Sequence, residues 1–351
     1  HKFINKKKLN NMTDKQWNNL LDIIDGKNSV DVPIGFIIDC PWLPNWYGIS
    51  ILDYFTNDQL WLEANLKAVE TFPDIMFIPG FWSEYGMCTE PSAFGTKCIF
   101  WANEFPYAEK IIKNPEEIDN LIVPNVETDG FLPFMLNRLK IAQPQIEKAG
   151  HKIRFSVSRG PLNIASFLMG TTELLTTMMM DPDRVHKLMR IITYFLKSWH
   201  ELQRKLFPSI EGIMMLDDIV GFVGENEFLE FGYPYLKELY DVPMKVKLFH
   251  NDADCSVSVK YYSELGINVY NPGIHMSVNE LKKATNNKIT ILGNIPPRDV
   301  LAAGAPEDVR KAVKELLSSL NDKSHFILSC GGGMPPGVST NNIKAFCEAA
   351  K

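Results

Sequence analysis

His250, Asn251 and Asp252 follow directly on an apolar run, Met244 to Phe249. A histidine and a carboxylate at the end of one β-strand place two good ligands on one rim, and neutral imidazole and carboxylate both suit Zn²⁺. A histidine that only hydrogen-bonds its neighbours is the plainer alternative. Asp217 and Asp218 end a second apolar run, Gly212 to Leu216. They could serve as a further ligand, a base or a hydrogen-bond acceptor for substrate, and helix capping is the alternative. Gly331 to Gly333 would let backbone approach a ligand closely. No lysine and serine follow as in a phosphate-binding P-loop, so a nucleotide site is not expected there.

Other apolar runs end in polar residues as well. Collected in chain order these ends supply Asp39, Glu84, Arg159, Asp217, Asp218, His250, Asp252, Asn271, His275, Asn294 and Cys330. Asp254 and Asn294 also fit plain turn formation. Trp42, Trp46, Tyr47, Phe81, Trp82, Tyr85 and Phe94 crowd two of the connections. Such density in loops points to a pocket for a ring-shaped substrate or to a lid. The three methionines Met178 to Met180 read as core filler.

The elements that must position these residues alternate regularly. Asp14 to Ile24 reads as an amphipathic helix, and residues 1–30 as a helical extension. Strands are expected over Val32–Ile38, Asp74–Ile78, Ile153–Val157, Gly212–Leu216, Met244–Phe249, Ile267–Tyr270, Lys288–Leu292 and His325–Leu328. Each is short, apolar on both faces and followed by helical spacing, the mark of a buried parallel sheet. Lys97 to Tyr107 reads as a hairpin inserted after the second strand, and Asn163 to Met180 as one helix. Eight such units predict an α/β fold, a (β/α)8 TIM barrel, as a single domain over 1–351. Strand ends then converge on one mouth. An open doubly wound sheet would carry a glycine-rich loop after its first strand, and Asp39-Cys40-Pro41-Trp42 is nothing like one.

Composition narrows the function. A net charge of −6 among 351 residues argues against a nucleic-acid surface. No apolar run approaches the roughly 20 residues of a membrane span. The six cysteines, Cys40, Cys88, Cys98, Cys255, Cys330 and Cys347, contain no C-x-x-C pair. They read as reduced thiols of a cytoplasmic protein.

Several stretches resemble the uroporphyrinogen decarboxylase superfamily, which includes cobalamin-dependent methyltransferases. They are Ser158 to Ser166, Leu216-Asp217-Asp218 with Phe231 to Tyr235, Leu292 to Pro297, and Phe326 to Pro336 with Asn341 to Ala345. The resemblance covers nearly the whole chain, is weakest over 81–150, and implies the same barrel. The true decarboxylases grip a porphyrinogen with an arginine-rich segment after the first strand. Here that segment, Asp39 to Tyr47, has no arginine, and of eight arginines only Arg159 and Arg298 lie near strand ends. The substrate's many carboxylates would stay largely unpaired, which costs several kcal/mol per buried ion.

The methyltransferase branch has a zinc motif of histidine, one residue, then cysteine, and a second cysteine near the last strand. His250 matches. Asp252 replaces the first cysteine, and the second falls at about Gly332, two residues after Cys330. The resemblance therefore implies Zn²⁺ on His250 and Asp252, with Glu84, Cys330 or Asp217 completing the shell. It further implies catalytic roles for Asp217, Asp218 and His250, and substrate contacts from Trp42, Trp46, Tyr47, Trp82, Arg159 and Asn271. The implied reaction moves a methyl group between a small aromatic ether or thiol and a corrinoid (cobalamin). The corrinoid comes in trans on a separate corrinoid protein or as free cofactor. A decarboxylating lyase and a non-catalytic small-molecule-binding barrel are the alternatives, and a homodimer is the assembly allowed for.

Overall fold

The structure, a computed structural model, describes residues 14–27, 31–38 and 40–351. Asp39 and the first thirteen residues of the expected extension lie outside the described residues. In chain order the strands are β1 (Gly35–Ile37), β2 (Met76–Ile78), β3 (Cys98–Ile99), β4 (Tyr107–Ala108), β5 (Phe155–Arg159), β6 (Gly212–Leu216), β7 (Val246–Asn251), β8 (Val269–Pro272), β9 (Thr290–Ile295) and β10 (Phe326–Cys330). The first nine helices are α1 (Asp14–Ile24), α2 (Trp42–Tyr47), α3 (Ile51–Thr56), α4 (Asp58–Thr71), α5 (Thr89–Ala93), α6 (Leu132–Lys148), α7 (Pro161–Met169), α8 (Thr171–Met180) and α9 (Pro182–Leu206).

Strands β5 to β10 pair in parallel in chain order, and β1 pairs in parallel with β2. A bridge between Ile34 and Leu328 joins β1 to β10, reinforced by the Leu328 N–H donating to Pro33 O at 2.8 Å. Eight parallel strands thus run around a (β/α)8 barrel, with one seam between β2 and β5. Strands β3 and β4 form the expected antiparallel hairpin after the second barrel strand.

Side chains alternate across each strand, so two cores result. Ile37, Met76, Ile78, Phe155, Val157, Met214, Leu216, Val246, Leu248, Val269, Leu292 and Ile327 fill the lumen. Their neighbours Phe36, Phe77, Ile213, Met215, Phe249, Tyr270, Ile291, Leu328 and Cys330 face the helices outside. Trp17, Leu20 and Ile23 of α1 join the lumenal cluster. The Trp17 ring meets Phe155, the first residue of β5, edge-on at 5.5 Å, so α1 closes the end of the barrel where the strands begin.

Two expectations are corrected. The helix read over Asn163–Met180 is two helices, divided at Gly170, whose φ of 94° is a conformation that favours glycine. Of the three methionines only Met178 is buried, while Met179 and Met180 are 81% and 79% exposed. The strands also run about two residues beyond most of the apolar stretches, so Arg159, His250 and Asn271 lie on the ladder and not in loops.

Candidate metal centre at the barrel mouth

The ladder register aligns Arg159 with Leu216, Leu216 with His250, and His250 with Asn271. Leu216 is lumenal, so the whole row faces inward at the mouth. Alternation then decides the neighbours. Two residues beyond Leu216 and His250 come Asp218 and Asp252, again on the inner side. Ligand atoms of Asp218, His250 and Asp252 lie within 4.8 Å of one another.

The imidazole is held in one sense. Asn271 donates its side-chain N–H to the Leu292 carbonyl at 2.7 Å, which turns its Oδ1 toward His250 Nδ1, also at 2.7 Å. Nδ1 must then carry the hydrogen and donate, so Nε2 is the nitrogen that the neutral ring offers to a metal. Nε2 stands 3.6 Å from Asp218 Oδ1. The same Oδ1 accepts the Asp252 N–H at 3.1 Å, which ties the loop after β7 to Asp218. Burial pushes the Asp218 carboxyl above its ordinary range, His250 opposes the shift, and Asp252 adds to it. A cation among these groups would remove that repulsion.

Gly332 completes the wall. A Cβ built there would lie 2.8 Å from Asp252 Oδ2, and its φ is 68°. A side chain at 332 would therefore project onto the same ligand cluster, and here the Asp252 carboxylate fills that space instead. The donor set of one imidazole and two carboxylates fits a divalent zinc-type ion with an open coordination position. The hydrogen-bonded Asn271 behind His250 is the support that metal-binding histidines use.

The other expected site residues are arranged differently. Asp217 faces outward and is buried completely. Its carboxylate accepts the N–H groups of Leu162 at 2.9 Å and Asn163 at 2.9 Å, in the first turn of α7. This is the capping role, and Gly160 allows it: a Cβ there would sit 2.3 Å from Asp217 Oδ2. Cys330 belongs to the outer core, with its Sγ 3.6 Å from the Gly332 carbonyl, and does not reach the cluster. Glu84 is buried and ion-paired with Arg159 rather than turned toward His250. Asn271 spends its amide on His250 and Leu292, so it positions the histidine.

The aromatic loops also divide. Trp42 is fully buried, stacked on Trp46 at 5.5 Å, and donates to the Val338 carbonyl. Trp46 donates to Thr340 Oγ1, and Tyr47 to Glu63. These three rings pack on the outer core and do not line the lumen. Trp82 alone of the predicted set joins the lumenal cluster, with Arg159 over its ring at 5.4 Å.

Sequence reasoning missed Ser329 and Glu90. Ser329 is fully buried on the lumenal side of β10 with an unpartnered hydroxyl, and alternation with Ile327 could have revealed it. Glu90 accepts the Arg159 N–H at 3.0 Å from the first turn of α5, a contact that no spacing encodes.

Among the described residues no helix is long and apolar enough to cross a membrane. The fold is similar to that of a methyltransferase from Methanosarcina mazei, with a TM-score of 0.79 at 17% identity over 97% of this chain and 98% of that one. It is similar also to a B12-independent methionine synthase from Shewanella sp. W3-18-1, with a TM-score of 0.58 at 12% identity over 91% of this chain and 97% of the other. In sequence the chain is 22% identical to the uroporphyrinogen decarboxylase of Actinobacillus pleuropneumoniae serotype 5b over 280 residues, 74% of this chain and 75% of the relative. It is 20% identical to that of Alcanivorax borkumensis over 312 residues, 86% and 85% of the two chains. The uroporphyrinogen decarboxylase (URO-D) family model matches residues 45–351, and the chain belongs to that family.

Proposed function

We propose that the protein is a cytoplasmic, zinc-assisted methyltransferase that moves a methyl group between a small aromatic ether and a corrinoid supplied in trans. The observation that carries this reading is the convergence of Asp218, His250 and Asp252, with Nε2 as the His250 nitrogen that the Asn271 contact leaves for a metal. A zinc ion bound there would act as a Lewis acid on the substrate's heteroatom and make it a better leaving group. The protein's own share is to hold three donors in place and keep the imidazole oriented.

The donor set favours oxygen over sulfur as the methyl-bearing atom. Soft thiolate ligands suit soft partners, whereas two carboxylates and an imidazole leave a harder, more electrophilic ion that suits an ether oxygen. Two exposed apolar side chains, Phe222 and Ile274, stand in the connections after β6 and β8. A corrinoid or its carrier protein docking over the mouth would cover them.

A decarboxylase acting on a porphyrinogen fits less well, because Arg159 is already paired with Glu84. The test is metal analysis of the purified protein together with a methyl-transfer assay using an aryl methyl ether and cob(I)alamin. Stoichiometric zinc that disappears in His250→Ala, with methylcobalamin formed only by the zinc-loaded protein, supports the reading. A protein that takes up no zinc and cleaves no ether refutes it.

A further inference from the structure

Arg159 and His250 share the lumenal row and are two strands apart, so their backbones lie about 10 Å from each other. The Arg159 guanidinium is engaged by the protein itself. Its Nη1 donates to Glu84 Oε2, and it lies over the Trp82 ring. Glu90 takes the Arg159 backbone N–H. Both carboxylates are deeply buried, Glu84 at 3% and Glu90 at 1% exposure. Glu84 Oε1 and Glu90 Oε2 have no hydrogen-bond partner.

The cluster thus holds two carboxylates against one guanidinium, and Asp218 and Asp252 add two more acids at the same mouth. An anionic group entering here would find its natural bidentate partner occupied. It would also have to settle beside two carboxyl groups buried at Glu84 and Glu90, where a further negative charge is poorly solvated. An uncharged or ammonium-bearing molecule meets neither obstacle.

We propose that Glu84 is a built-in carboxylate that occupies Arg159, so that the mouth selects a substrate without an anionic group. This rests on the reading of the mouth as the site of a small organic substrate, and it narrows that substrate to uncharged or cationic molecules.

The test uses the full chain stripped of metal by a chelator, so that a carboxylate cannot bind through zinc. Benzoate and its uncharged counterpart benzamide are titrated by calorimetry into wild type, Glu84→Gln and the double variant Glu84→Gln/Arg159→Met. Wild type is expected to show weaker binding for benzoate than for benzamide, or none. Glu84→Gln is expected to raise benzoate affinity at least about tenfold, through the released guanidinium, and the double variant to abolish the gain. Benzoate binding to wild type as tight as benzamide overturns the proposal, and so does Glu84→Gln without a benzoate gain. If Glu84→Gln does not fold, the wild-type comparison still decides, with saturable benzoate binding of any strength then counting against the proposal. Zinc content and ether cleavage test the methyl-transfer reading separately, so the failure of one is not mistaken for the failure of the other.

Discussion

The two sides of the mouth use the same residue chemistry in opposite arrangements. On the β6 and β7 side, Asp218 and Asp252 turn their donor atoms toward each other and toward His250. On the β2 and β5 side, Glu84 and Glu90 close around Arg159, and the cation is part of the protein. On the proposed reading one side receives a positive charge from outside, whereas the other has supplied its own. A carboxylate at a strand end therefore says little until its positive partner is known.

Breaking the receiving side gives the largest expected effect. His250→Ala should reduce bound zinc from about one per chain to near zero and lower methyl transfer at least about a hundredfold. Zinc retained at stoichiometric level in that variant would dissolve the contrast between the two sides. The adjacent aspartates sharpen it. Asp218→Asn should weaken zinc by about 10- to 100-fold in a chelator competition while leaving the melting temperature nearly unchanged. Asp217→Asn should do the reverse, costing about 2 kcal/mol of stability through the lost charged cap of α7, with zinc stoichiometry intact. Asn271→Ala leaves all three donors but frees the imidazole to turn, and its zinc affinity should fall by about 10-fold or more.

The smallest effect is expected on the self-neutralised side. Burial pushes the Glu84 carboxyl above its ordinary range, with Arg159 opposing. Between the ordinary glutamate range and that raised value the folded protein holds a proton at Glu84 that the unfolded chain has lost. By linkage this contribution to stability falls as pH rises from the ordinary glutamate range toward the raised value, and grows as pH falls. Denaturation curves of wild type and Glu84→Gln should diverge in favour of wild type as pH is lowered toward the ordinary glutamate range. A constant difference across that window would mean that the carboxyl stays ionised throughout.

The barrel was legible because eight apolar runs each ended in polar residues and were separated by helical spacing. The site was legible only in part, and the reason is the two-residue period of a strand. Asp217 and Asp218 look alike in the sequence, yet one faces the helices and the other the lumen. The same holds for Cys330 and Ser329, of which the cysteine drew attention and the serine faces inward. Taking each strand to end at its last apolar residue hid this alternation, because the strands continue through Arg159, His250 and Asn271. The outer placement of Trp42 and Trp46 could not be read at all. It depends on residues 338 and 340 at the far end of the chain.

Helix α1 has a consequence for the order of events. Trp17, Leu20 and Ile23 pack into the end where the strands begin, so among the described residues the mouth is the end of the barrel left without such a plug. If the proposed methyl transfer takes place here, its donor and acceptor share one entrance, and whichever sits deeper binds before the partner that covers it and leaves after it.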